Sequence, residues 1–215
     1  MSKEKSPLIF LLLSAFSILT VLVAKQITRP MDFAFMQLIQ SFAFKELDYG
    51  MDFFTLIGSV EFSSFALLVV TWYLYRKYDW PGAFLYLFFF MALSGVECIW
   101  KFIVPYTAPG PEFSRYALKL GFFNVLTPYS FPSGHVFRSV FLLGIWYQRL
   151  SQKPASSNGN SLFQRALIAS LILIIGASRV YLGYHWLSDV IGGYLLAWIG
   201  LSLASQSPHY ELRPA

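Results

Sequence analysis

Six stretches of this chain stay apolar long enough to cross, or nearly cross, a lipid bilayer. That constrains the fold more than any other feature. A spanning helix needs ~20 mostly apolar residues, because a hydrocarbon core of ~30 Å offers the backbone no water to bond. The stretches run over Pro7–Ala24, Phe53–Tyr75, Pro81 to about Trp100, Gly134–Tyr147, Ala166–Leu182 and Trp186–Ala204. Cations punctuate them at Lys25, Arg76, Lys77 and Lys101. The first has the charged start of a signal peptide, but its apolar run is long and no A-x-A site follows, so it reads as a retained span.

Composition agrees. The chain is 56% hydrophobic and 13% charged, against about 25% charged in ordinary soluble domains. Disorder would need the reverse balance. Cys98 is the single cysteine, which leaves no internal disulfide. The net charge of +5 does not point to nucleic acid, because Lys and Arg are scattered in ones and twos rather than gathered in a patch. The expected architecture is all-α: a polytopic membrane protein, one domain over residues 1–215, with six transmembrane helices in one bundle. Nothing in the sequence sets an oligomeric state.

Two segments between spans read as short interfacial helices on the outer face. Over Met31–Lys45, Phe35, Leu38, Ile39 and Phe42 recur at helical spacing, with Gln37, Gln40 and Ser41 opposite. Over Phe113–Leu120, Phe113, Tyr116, Ala117 and Leu120 form one face, and Arg115 and Lys119 share another. Residues 151–160 form a polar loop. An even number of spans returns both termini to one side; Lys and Arg divide evenly between the two sides, and only when Lys101, Arg138 and Arg179 are set aside as site residues does an eight-to-five excess predict the termini's side to be cytoplasmic.

Ionisable residues inside spans are costly and mark function by default. Lys101 ends the third stretch, His135 and Arg138 start the fourth, Arg179 lies near the end of the fifth, and His185 and Asp189 open the sixth. On this topology all six fall at the same outer face. His185 and Asp189 stand i, i+4 on a helix, so the carboxylate can fix one imidazole nitrogen and leave the other as a nucleophile. Pro132-Ser133-Gly134-His135 reads as a helix start, with Ser133 as N-cap and backbone N–H groups aimed at an anion. Glycine at 134 permits close approach. Glu97, one turn before Lys101, is a candidate ion-pair partner for it, and Arg138 could pair with Glu97 or Glu61 or extend to the interface. No Cys cluster or carboxylate-rich group suggests a metal.

These residues carry a resemblance. Lys101 to Pro109, Pro132-Ser133-Gly134-His135, and Ser178-Arg179 with His185 and Asp189 resemble the three signature motifs of the type 2 phosphatidic acid phosphatase family: K-x6-R-P, P-S-G-H and S-R-x5-H-x3-D. The signature region spans about 97–190. The first motif departs, with Ala108 where the family has arginine. The resemblance implies a membrane lipid phosphate phosphatase without metal or other cofactor. By similarity His185 is the phosphorus nucleophile, Asp189 its orienting partner and His135 the proton carrier. Lys101, Ser133, Gly134 and Arg179 would bind phosphate, and Arg138 is expected to replace the arginine missing at 108. Arg115 and Lys119 are weaker candidates for gathering the head group. Expected substrates are undecaprenyl diphosphate, phosphatidylglycerol phosphate or phosphatidic acid, at the outer face of a bacterial inner membrane. A head-group phosphotransferase on the same scaffold and a non-catalytic lipid-phosphate binder are the alternatives.

Overall fold

The computed structural model describes residues 6–77, 80–115, 127–151 and 160–205. Among the described residues there is no strand. The helices are α1 (Ser6–Ala24), α2 (Arg29–Gln40), α3 (Lys45–Thr55), α4 (Val60–Lys77), α5 (Trp80–Ile103), α6 (Gly134–Ser151), α7 (Asn160–Tyr181) and α8 (Leu187–Ala204), with 3-10 turns at Leu56–Gly58 and Pro111–Phe113. Lys119 and residues 116–126, loop residues 152–159 and both chain ends lie outside the described residues.

Helices α1, α5, α7 and α8 are long and apolar enough to cross a membrane, and α3 with α4 qualifies as one pair bent by 48°. The expected second span is therefore not a straight rod. It breaks at Ser59, whose backbone is extended (φ −61°, ψ 154°) and whose hydroxyl accepts the Phe62 amide at 3.2 Å, capping α4. Gly58 suits the break because any Cβ there would run into the His135 carbonyl. Helix α6, expected as the fourth span, is not among the helices apolar enough to qualify. It carries His135, Arg138, Gln148 and Arg149. Four spans, or five with the bent pair, thus stand on length and composition, where six were expected.

Helix α8 is the axis of the bundle. Within its span 67% of residues are buried in protein, against 11% for α1, and it packs on α1, α5 and α6. Lipid is as apolar as leucine, so membrane helices gain little by hiding oil from it and associate through close fit at small residues. A Cβ on Gly193 would stand 2.7 Å from the Ser133 carbonyl oxygen and 2.9 Å from Val136 Cβ, and Gly200 faces Leu93 and Phe141. The α6 side of this seam is Phe137, Val140 and Phe141, all fully buried. Phe90 of α5 packs on the last ring at 5.5 Å.

Helix α2 corrects the expected Met31–Lys45 helix. It stops at Gln40, and α3 begins at Lys45. Phe35 and Ile39 pack on the core, but Leu38 and Phe42 are 57% and 70% exposed. What faces inward is Asp32 and Met36, both fully buried. The cause is a polar anchor. Asp32 accepts from the Ser188 amide at 2.8 Å, the Ser188 hydroxyl at 2.6 Å and the Tyr106 phenol at 2.6 Å. Three hydrogen bonds to one buried carboxylate outweigh the register of an apolar stripe. Of the second expected helix, Phe113–Leu120, only Phe113, Ser114 and Arg115 are described: Phe113 ends a 3-10 turn over Pro111–Phe113, and residues 116–120 lie outside the described residues.

The α6–α8 seam makes a paired prediction. Gly193→Ala should lower the melting temperature in detergent, with a cost of ~1–3 kcal/mol for overpacking against backbone. Gly95→Ala, where a Cβ meets nothing within 4 Å, should leave it unchanged or slightly raised.

Candidate active site

Four helix ends meet at one level of the bundle. Lys101 lies in the last turn of α5 and Arg179 in the last turn of α7. His135 lies in the first turn of α6 and Asp189 in the first turn of α8. Cations favour helix C-termini and carboxylates N-termini, because the peptide dipoles end there. The local placement of each charge is therefore favourable before any ligand is considered.

The turn after α7 sets the nucleophile candidate. Gly183 has φ +76°, the left-handed value that ends helices readily only at glycine. The Tyr184 and His185 amides both donate to the Arg179 carbonyl, at 3.0 and 3.1 Å. His185 is thereby tied back to the end of α7 that carries Arg179. One carboxylate oxygen of Asp189, Oδ2, takes the Trp186 amide at 3.0 Å and meets His185 Nδ1 at 3.2 Å. With Nδ1 engaged, Nε2 is the ring nitrogen left for chemistry. Burial and the nearby cations Arg179 and Lys101 hold the His185 imidazolium well below the usual histidine range, so the ring is neutral near pH 7.

The start of α6 is docked onto α8. The Ser133 amide donates to the Asp189 carbonyl at 2.9 Å, and the Ser130 amide donates to the Tyr106 carbonyl at 2.8 Å. Ser133 heads α6 as expected through its carbonyl, which accepts the Phe137 amide at 3.0 Å. Its hydroxyl makes no capping bond. Ser133 Oγ and Arg179 Nε are buried polar atoms with no hydrogen-bond partner. Buried groups of this kind are normally satisfied, and here both belong to motif residues.

A cavity of about 400 Å³ lies between these ends, lined by Lys101, His135, Arg138, Arg179 and His185, with Glu97 among them. Arg179 Nη1 donates to Thr55 Oγ1 at 2.8 Å, and its guanidinium lies 3.9 Å from the Tyr184 ring centroid. Arg138 Nε donates to the Gly58 carbonyl at 3.1 Å, and Nη1 stands 3.7 Å from Glu97. Lys101 Nζ meets Glu97 at 2.7 Å. Ala108 also lines the cavity, so the position that lacks the motif arginine opens onto the same space as Arg138. Among the described residues, no group of three or more His, Cys, Asp or Glu could hold a metal ion.

Arg115 is occupied elsewhere. It pairs with Asp48 through two hydrogen bonds, at 3.1 and 3.0 Å, and lies over Tyr181. Among the described residues Arg115 is not one of those that line the cavity. Lys119 lies outside the described residues.

Sequence reasoning missed the supports. Thr55 and Tyr184 fix Arg179, and Gly58 fixes Arg138. Asp32, Tyr106 and Ser188 hold the start of α8 from behind. Burial and the Asp32 carboxylate push the Tyr106 phenol up to about 12, so it remains a donor. Arg29 donates to the Thr107 carbonyl at 3.2 Å and stacks 4.7 Å from the Trp186 ring centroid, steadying the loop beside Ala108. Only Asp32 left a readable signal, as the one acid on an amphipathic helix.

Comparison with known proteins agrees with this architecture. The fold is similar to that in the "Crystal structure of the first transmembrane PAP2 type phosphatidylglycerolphosphate phosphatase from Bacillus subtilis", with a TM-score of 0.73 and 20% identity over 92% of this chain and 94% of that one. No curated protein matches by sequence. The model of the family described as the PAP2 superfamily matches residues 83–213, more than half of the 215 residues and all the motif positions that line the cavity. The chain belongs to the PAP2 superfamily.

Proposed function

We propose that this protein hydrolyses the phosphomonoester or diphosphate of a membrane lipid through a phosphohistidine on His185. One observation carries the reading: a histidine whose Nδ1 meets a buried carboxylate faces a cavity whose other walls include Lys101, Arg138, Arg179 and a second histidine. His185 Nε2 attacks phosphorus, and the bond to the lipid oxygen, or to the leaving phosphate of a diphosphate, breaks. Asp189 stabilises the imidazolium that forms. His135 gives a proton to the leaving oxygen, then takes one from the water that attacks the phosphohistidine. The P–N bond breaks, and orthophosphate leaves with His185 restored.

The protein's contribution is positioning and charge, as phosphoryl transfer requires. Lys101, Arg138, Arg179, the unpartnered Ser133 hydroxyl and the amides after Ser133 surround the phosphoryl oxygens. Arg138 supplies the guanidinium that Ala108 cannot. The lipid tail remains among apolar side chains of the bundle. Phosphatidylglycerol phosphate is the first substrate to try, since the structural neighbour is a phosphatidylglycerolphosphate phosphatase, followed by undecaprenyl diphosphate and phosphatidic acid. The reading places the site at the outer face of a bacterial inner membrane, with both termini cytoplasmic and six spans, α6 included.

Phosphate release from these lipids in detergent tests it. His185→Ala should lower turnover at least about a thousandfold, while EDTA leaves wild-type turnover unchanged; loss of activity in EDTA would sink the metal-free mechanism. Arg138→Ala should lower kcat/KM roughly 10- to 100-fold, and adding Ala108→Arg in that background should restore part of it. Full turnover in Arg138→Ala would remove Arg138 from the phosphate site.

A further inference from the structure

Glu97 is an acid in a place built for anions. It is 6% exposed and sits one helical turn before Lys101 on α5. One carboxylate oxygen lies 2.7 Å from Lys101 Nζ, and the other lies 3.7 Å from Arg138 Nη1. The same carboxylate lies over the first turn of α6, so closely that a Cβ on Gly134 would collide with it. It therefore covers two of the three cavity cations and the helix start that an incoming anion would meet. The third cation, Arg179, is held instead by a hydroxyl and an aromatic ring. With Asp189, Glu97 brings the formal charge of the group down to +1.

We infer that Glu97 tunes phosphate affinity: it is an internal anion that competes with the phosphoryl group for Lys101 and Arg138, and so keeps the binding of free orthophosphate, the product, weak. The inference rests on the phosphatase reading above. A carboxylate offers the same paired acceptor oxygens as one edge of a phosphoryl group. When a phosphoryl group enters, the two cations turn to it, and Glu97 is left beside a second anion. That repulsion acts on every phosphate that enters. A lipid phosphate offsets it with the burial of its tail, whereas orthophosphate, the product, has no tail to offset it. The site thus holds substrate and lets product go.

Orthophosphate inhibition of lipid-phosphate turnover reads this directly. Glu97→Gln keeps the shape and removes the charge, and it should lower the orthophosphate Ki on the order of tenfold. Glu97→Asp withdraws the carboxylate by one methylene and should lower Ki by less. A Ki that is unchanged or raised in a folded, active variant overturns the inference and makes Glu97 a positioning residue for Lys101. Wild-type protein gives an independent reading: a carbodiimide activates the Glu97 carboxylate, Lys101 Nζ attacks the acyl carbon to form an amide, and the reagent leaves as its urea; the cross-linked peptide, followed by mass spectrometry, should decline as orthovanadate is added. An undiminished yield overturns the inference without any variant. Wild-type protein that neither releases phosphate from any lipid nor shows a melting shift with orthophosphate would instead overturn the phosphatase reading.

Discussion

The structure depends on one docking: the start of α6 against the start of α8. The Ser133 amide donates to the Asp189 carbonyl, and Gly193 lets the two backbones close to within contact of Ser133 and Val136. This fixes two helix N-termini side by side, which is electrostatically unfavourable because both carry the positive end of a dipole. Three buried carboxylates offset it. Asp32 takes the Ser188 amide, Asp189 takes the Trp186 amide, and Glu97 lies over α6. The cations come from the opposite kind of end, Lys101 closing α5 and Arg179 closing α7. A site with charges of both signs is thus the consequence of bringing four helix ends to one level.

The surrounding medium raises the stakes of every polar group. In a bundle bathed by lipid, a charge must be paired, bonded or in a water-filled cavity. The described site residues follow that rule with three exceptions, Ser133 Oγ, Arg179 Nε and Asp189 Oδ1, all on motif residues. The supporting groups are as constrained as the motif residues themselves. Thr55, Tyr184 and the Gly58 carbonyl fix two guanidinium groups; Thr55 and Gly58 come from a segment the family motifs do not include, and Tyr184 is one of the unspecified positions inside the third motif. The break between α3 and α4 belongs to the same scheme, since it brings the Gly58 carbonyl to Arg138.

Some expectations changed for physical reasons. The apolar stripe of α2 suggested a helix lying on its oily face, yet Asp32 turned the helix so that the carboxylate faces α8. A single buried acid with three donors outweighs several phenylalanines and leucines that lipid solvates equally well. Arg115 was free to be a head-group ligand on sequence grounds, because Asp48 is distant in the chain and nothing in the spacing pairs them.

The linear order of residues dictates the solvent and the set of reactive groups. Long apolar runs required a helical membrane protein, and ionisable residues at run ends, at motif spacing, marked Lys101, His135, Arg138, Arg179, His185 and Asp189. Local periodicity reports these because helix ends and i, i+4 pairs are short-range facts. The tertiary structure decided the long-range partners: that Glu97, beyond its local partner Lys101, meets Arg138, that Arg138 and Ala108 share one cavity, and that Asp32 anchors α8. Those contacts join residues up to 156 positions apart, and their geometry depends on how closely glycines let the helices pack, which no local pattern encodes.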